Sequence, residues 1–206
     1  MDKLRKHWDT KVTLNHKHFV DHMPMKKVAD HINRVRSHVL SQIDLDEVKT
    51  ALDWGCGGGL LAKELSQHFD VTLVDISEAS LTEAQRFIGK ECKTIHVGNP
   101  EDVEVEDKID LILCYSVIQH FPSYEYWVKV SQKWRELSPK HIAIQIKLAD
   151  KVVESKNYFA ARNYLNGLHL GRKQIKEALP EHKITYWKES IAPASGQKIA
   201  FIVLTA

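Results

Sequence analysis

The stretch DWGCGGG, Asp53 to Gly59, packs four glycines into five positions directly behind the apolar run VKTAL. Glycine loses more backbone freedom on folding than any other residue, so such a cluster marks a backbone that must turn sharply or approach something closely. A glycine-rich turn between a strand and the next helix aims backbone N–H groups at a ligand. The plainer alternative is a tight turn with no ligand. The spacing narrows the choice. From Gly55 the dinucleotide pattern G-x-G-x-x-G fails at Leu60, and from Gly57 it reaches Ala62, which fits only the looser form. No Gly-Lys-Ser/Thr triplet follows, which argues against a phosphate P-loop. What fits is acid-x-G-x-G-x-G: Asp53, Gly55, Gly57 and Gly59, with Gly58 outside the spacing.

A second acid, Asp75, closes the run VTLVDI. A ribose with two free hydroxyls calls for a bidentate acceptor at the C-terminal end of a strand. An Asp in that place can also simply cap the helix that follows. Together the two motifs resemble those of class I S-adenosylmethionine-dependent methyltransferases. The resemblance implies S-adenosylmethionine as cofactor, with Asp53 attracting its ammonium and Gly55, Cys56, Gly57, Gly59 and Leu60 around its amino-acid tail. It puts Asp75 on the ribose and Ile76 on the adenine.

The rest of the resemblance is weaker. VGNPEDVE places Asn99 where the family often has Gly-Asp. Pro100 departs from the pattern, because proline has no N–H and any backbone donation to the adenine falls to Glu101 or Asp102. CYSVIQHFP resembles the segment that runs beneath the methyl donor and into the acceptor pocket. Tyr115 and Ser116 would line the cofactor there, and Gln119 and His120 would reach toward the acceptor. A histidine titrates near neutrality and can act as a general base. His120 is therefore the candidate catalytic residue, with a packing role as the alternative. The resemblance spans about residues 48–150.

These residues need a scaffold to position them. Short apolar runs alternate with helical stripes, which means parallel βαβ units. The strands read as VKTALDW, VTLVDI, KTIHVG, IDLILCYS and HIAIQIKL, then KITYWKE and KIAFIVLT joined by the turn-rich APASG. MKKVADHINRVRSHVLSQI carries Val28, Ile32, Val35, Val39 and Ile43 on one helical stripe. LLAKELSQHF turns Leu61 and Leu65 inward. SLTEAQRFIG turns Leu81, Ala84 and Ile88 inward, with Ser80 and Glu83 as a capping box. YEYWVKVSQKWREL buries Trp127, Val130, Trp134 and Leu137, and KQIKEAL stops at Pro180. Residues 1–24 show no steady period. The last two strands have no helix between them, so a hairpin closes that end. The expected fold is α/β: a doubly wound, seven-stranded, mostly parallel sheet with an antiparallel last strand, the Rossmann-like methyltransferase fold. Residues 1–47 are expected as a helical lid or cap, and 48–206 as the cofactor-binding domain.

Composition sets the outer limits. The chain has 206 residues, 43% hydrophobic and 27% charged, which suits one ordinary globular domain able to bury a core. A net charge of +2 does not by itself argue for nucleic acid or an acidic membrane. Cys56, Cys92 and Cys114 are an odd number at spacings unlike any metal motif, and the opening MDKLRKHWDT is charged. A reducing, cytoplasmic setting is expected, without a membrane span. Twelve histidines crowd toward the start, yet no ligand-like pair stands beside a carboxylate, and no metal site is expected.

The acceptor is less legible. No Asn/Asp-Pro-Pro-Tyr/Phe follows the fourth strand and no Pro-Cys occurs anywhere. By comparison with enzymes that carry those motifs, this argues against adenine or glutamine amides and against cytosine carbon as acceptors. A small molecule leads, with Trp8, Tyr158 and Tyr164, beside Gln119, as candidate acceptor-binding residues. Residues 1–24 and 148–171 are the candidate covers. An RNA or protein acceptor stays open, because residues 1–40 hold nine Lys/Arg against four Asp. So do a cofactor sensor without catalysis and an NAD-type oxidoreductase, the latter opposed by the missing third glycine and the closing hairpin. Oligomeric state is left unassigned.

Overall fold

The computed structural model describes residues 2–15, 23–155, 167–192 and 195–206. Side chains in the first helix are described from Leu4 to Thr10. Tyr158 and Tyr164 lie outside the described residues.

Seven strands form one sheet: β1 (Thr50–Trp54), β2 (Asp70–Asp75), β3 (Lys93–His96), β4 (Leu111–Cys114), β5 (His141–Lys147), β8 (Lys183–Ile191) and β9 (Lys198–Thr205). Their order is β3-β2-β1-β4-β5-β9-β8. The first five pair in parallel, whereas β9 runs antiparallel to both β5 and β8. This is the doubly wound, seven-stranded sheet expected above. A two-stranded piece, β6 (Val153–Glu154) with β7 (Leu168–His169), was not anticipated; two residues a side leave no period to read.

Burial explains the sheet. All four residues of β4 are buried, as in the central strand of a sheet covered on both faces. One face carries α2 (Met25–His38), α3 (Leu60–Leu65) and α4 (Glu78–Ile88), with Val35, Leu65, Leu81 and Ala84 packed on Leu111, Leu113 and Phe201. The other carries α5 (Tyr124–Leu137) and α6 (Arg172–Ala178). There Trp127, Val130, Trp134 and Ile175 meet Ile112, Ile142 and Ile144. α2 thus shares the core of the sheet, although it precedes residue 48. α1 (Asp2–Asn15) packs against α4, with Leu4 and Trp8 against Ile76.

Several helix ends differ from the expectation. α2 stops at His38, and a 3-10 turn at Leu40–Gln42 replaces its last turn. α3 stops at Leu65 rather than running to Phe69. α4 begins a turn early: the Ser77 side chain accepts from the Ser80 N–H at 3.1 Å. Ser80 is therefore inside the helix, and Glu83 pairs with Arg86 at 2.7 Å instead of closing a box. α1 itself was unreadable, because its described apolar side chains, Leu4 and Trp8, make one i, i+4 pair among charges.

The chain leaves β1 for β2 and β3 on one side, then returns to β4 on the other. Loops on opposite sides of β1 diverge there and leave a crevice at the C-terminal ends of the strands, where ligands bind in sheets of this kind.

Candidate active site

The glycine loop opens that crevice. Gly55, Gly57 and Gly59 have φ values of 79°, 52° and 82°, a region costly for residues with a Cβ. The N–H groups of Gly55 and Cys56 both reach the Val74 carbonyl, at 2.7 and 3.1 Å, and fold the loop over β2. Two of the glycines are also needed for space. A Cβ at Gly55 would lie 2.5 Å from the Val117 side chain, and one at Gly59 would lie 2.8 Å from the Ala84 backbone. A Cβ at Gly57 would meet nothing within 4 Å: that glycine faces open space. Gly58, outside the spacing, lines the cavity.

Asp75 fastens this loop to the next one. Its Oδ2 accepts from the Gly57 N–H and its Oδ1 from the Ser77 N–H, both at 2.9 Å. Asp75 thus steadies the entry to α4, and it also lines the cavity. Burial pushes its carboxyl up to about 6, against three backbone N–H bonds that pull it down. Three such bonds leave the carboxylate short of the roughly four that its two oxygens can accept. Asp53 is 3% exposed, and its Oδ2 has no hydrogen-bond partner. Burial, and then the nearby Asp75, push it to about 7. A buried carboxylate oxygen without a donor is uncommon and calls for an explanation.

The cavity has a volume of about 600 Å³. Gly55, Cys56, Gly57, Asp75 and Ile76 form one side, and Tyr115, Ser116 and His120 another. Trp8 of α1 reaches across, its ring 5.0 Å from that of His120. Ser116 is a non-glycine residue at φ 59°, and its Oγ donates to Gln145 Oε1 at 2.7 Å. Strain of that kind collects at functional sites, where the surroundings enforce it.

Other expected residues stand outside the cavity wall. Asp53 sits behind the loop, Gly59 caps α3 with Leu60 as its first residue, and Gln119 is buried with Oε1 unpartnered. Asn99 donates to Asp102 at 3.0 Å, Pro100 is buried in the same 3-10 turn, and Glu101 pairs with Lys129 at 3.1 Å. In their place Val97, Phe121 and Tyr126 form the apolar wall, with Phe121 and Tyr126 in edge contact at 4.9 Å. The sequence held no signal for Tyr126, whose helix reads as ordinary amphipathic packing. Leu4 and Met23 were missed for lack of any period before residue 25, and Lys27 because it stands off the apolar stripe of α2.

The site fits a nucleoside with an amino-acid tail. An unmet buried carboxylate oxygen suits an ammonium, a carboxylate at the cavity wall with acceptor capacity left suits a ribose hydroxyl, and Gly57 leaves room where a side chain would intrude.

Known proteins agree with this geometry. Residues 51–140 match a family described as methyltransferase domain. A ubiquinone biosynthesis O-methyltransferase of Rickettsia bellii is 29% identical over 116 residues, covering 55% of this chain and 46% of the relative. One of Hydrogenovibrio crunogenus is 34% identical over 96 residues, covering 44% and 40%. The matches thus span less than half of these relatives' length. Among solved structures, the N-methyltransferase NodS from Bradyrhizobium japonicum, in complex with S-adenosyl-L-homocysteine, superposes with a TM-score of 0.74 at 12% identity. The alignment covers 98% of this chain and 97% of that one. Magnesium protoporphyrin IX methyltransferase from Synechocystis, also with bound S-adenosyl-L-homocysteine, gives 0.72 at 13%, covering 99% and 98%. Strand order, glycine loop and sequence match converge: residues 51–140 match the methyltransferase domain family, and the chain has the fold of the methyltransferases on which it superposes.

Proposed function

We propose that this protein is an enzyme that transfers a methyl group from S-adenosylmethionine to a small-molecule acceptor by in-line displacement. The observation that carries the reading is the clasp of Gly57 and Asp75 at the cavity wall, with the unmet carboxylate of Asp53 behind it. The small-molecule relatives and neighbours support the acceptor class. S-adenosylmethionine supplies a methyl group already activated on a sulfonium, so the protein has mainly to position, desolvate and deprotonate.

The residues divide that work. Asp53 holds the ammonium and Asp75 the ribose hydroxyls. Ile76, Val97 and Tyr126 offer the adenine an apolar slot. Tyr115 and Ser116 face the reacting centre, and His120 takes the proton from the acceptor heteroatom as that atom attacks. α1 acts as a lid: Leu4 and Trp8 close the cavity over Ile76 and His120 and exclude water. Among the described residues no helix is long and apolar enough to cross a membrane. The three cysteines are free and buried, which supports a cytoplasmic setting.

Calorimetry with S-adenosylmethionine, S-adenosylhomocysteine and NAD tests the reading. The first two should bind and NAD should not; failure of both sulfur nucleosides to bind overturns it. Transfer of labelled methyl to a metabolite extract then separates enzyme from sensor.

A further inference from the structure

The tail of S-adenosylmethionine carries a carboxylate as well as an ammonium, and the loop that should meet it has few donors left. The N–H groups of Gly55 and Cys56 go to the Val74 carbonyl at 2.7 and 3.1 Å. That of Gly57 goes to Asp75 at 2.9 Å, and that of Gly59 to the Cys56 carbonyl at 3.0 Å. Between Gly55 and Gly59, Gly58 alone keeps an N–H without such a bond among the described residues. One N–H does not satisfy a carboxylate, which accepts from several donors. Asp53 and Asp75 worsen the match, because like charges repel unless a cation offsets them.

α2 supplies a cation at this end. Asp53 follows Ala51 by two residues along β1, so both point to the face that α2 and α3 cover. Leu113 stands opposite Asp53 in the pairing of β4 with β1, and Tyr115 packs on that same face two residues later. α2 is moored there by Val35, buried in this core, and by Arg36, which grips Glu64 of α3 through two bonds of 2.6 and 3.0 Å. One turn before Val35, His31 meets the Tyr115 ring edge-on at 5.8 Å. One turn before His31 comes Lys27, on the same side of the helix, since residues four apart are neighbours. Lys27 lines the cavity, where it is the one lysine or arginine among the described residues and Asp75 the one carboxylate. It forms no ion pair among the described residues. Burial, then Lys27 and Arg34, hold the His31 imidazole below its ordinary value, so the charge of Lys27 is felt on the Tyr115 side. The adenine slot lies apart from it: Tyr126 comes from α5, on the opposite face.

Resting on the methyltransferase reading, we propose that Lys27 binds the carboxylate of the cofactor's amino-acid tail and, with Asp53 on the ammonium, makes the site selective for the zwitterion. A nucleoside that keeps the ammonium but lacks the carboxylate leaves Lys27 without its partner. Lys27 is itself exposed, so solvent screens the pair and its effect is modest.

The test compares S-adenosylhomocysteine with its decarboxylated analogue, which keeps the ammonium, and with methylthioadenosine, which has neither charge. Calorimetry on the whole chain reads the three affinities. Lys27→Gln should weaken S-adenosylhomocysteine about fivefold and leave the other two within about twofold. Lys27→Arg should keep the wild-type affinity, which separates lost charge from a disturbed α2. Lys26→Gln, one residue away and outside the cavity wall, should leave all three affinities unchanged. Equal weakening of the three ligands in Lys27→Gln, an unchanged S-adenosylhomocysteine affinity in that variant, or an equal loss in Lys26→Gln overturns the proposal. Failure of the wild type to bind S-adenosylhomocysteine would instead remove the reading beneath it.

Discussion

Asp53 and Asp110 are both buried, at 3% and 7% exposure, on neighbouring parts of one sheet. Asp110 stands at the N-terminal edge, just before β4, and is fully employed. Its Oδ2 accepts from the Lys49 and Thr50 N–H groups at 3.0 and 3.3 Å, and its Oδ1 pairs with Lys108 at 3.1 Å. Burial raises this carboxyl, but those bonds outweigh it and hold the group below the usual carboxylate value. Asp53, at the C-terminal end of β1, has an oxygen with no partner and is raised to about 7. The difference teaches which end of the sheet is complete. One acid is met by the fold, and the other keeps an oxygen that the fold leaves unmet. Gly55, Gly57, Gly59 and Ser116 take positive φ at the end bearing Asp53, whereas the positive φ of Ser138 and Gly89 at the other end belongs to the caps of α5 and α4.

The largest effect should come where the end bearing Asp53 is itself structural. In Gly59→Ala the new methyl meets the backbone of Ala84 at 2.8 Å in a residue already at φ 82°. Left-handed strain and overpacking together should cost about 3–4 kcal/mol in urea denaturation. Retained stability would mean that α3 and α4 can separate, and that the loop is less fixed than its counterpart around Asp110.

Asp75→Ala comes next. Losing two charge-assisted hydrogen bonds to a ribose should weaken S-adenosylhomocysteine binding about a hundredfold, by roughly 3 kcal/mol in calorimetry. An unchanged dissociation constant would make Asp75 only the clasp between Gly57 and Ser77, and thus a second Asp110. Asp110→Ala sharpens the contrast in reverse. It leaves the Lys49 and Thr50 N–H groups without an acceptor and should cost about 2 kcal/mol of stability. Affinity for S-adenosylhomocysteine should stay within about twofold, since Asp110 lies at the other end of the strands. A large loss of affinity would show that the two ends are coupled.

How far this was legible in the sequence follows from the kind of signal each part sends. The glycine spacing and Asp75 could be read because their constraint is local: positive φ and a strand end are properties of a few consecutive residues. The sheet could be read because its strands are buried on both faces and so apolar throughout. Val97, Tyr126 and Leu4 could not, because only packing brings residues from a strand end, α5 and α1 to one wall. Asn99 shows the opposite failure. It stands at the motif position, but Pro100 starts a 3-10 turn in which its amide binds Asp102. For Asp75 the sequence set capping against a ligand role, although bonds to the Ser77 and Gly57 N–H groups leave the carboxylate at the cavity wall.

The smallest expected effect is the most diagnostic. Asp53 is raised from 3.8 to about 7, so the ligand-free fold favours its protonated form. The unfolded chain loses that proton near pH 4 and the folded protein only near pH 7. Stability of the ligand-free protein should therefore decline as pH rises through that window and level off above it. Affinity should move the other way. A ligand ammonium is attracted only by the ionised acid, so binding S-adenosylhomocysteine expels the proton at neutral pH and strengthens by about tenfold from pH 6 to pH 8. Asp75, raised to about 6, adds its own weakening below that range. Asp53→Asn should flatten both slopes between pH 6 and 8 and leave the weakening below pH 6. Melting temperatures at pH 5 and 8, and calorimetry across the same range, measure the two signs separately. Slopes that persist in Asp53→Asn would place the titrating group elsewhere and make Asp53 as inert toward the ligand as Asp110.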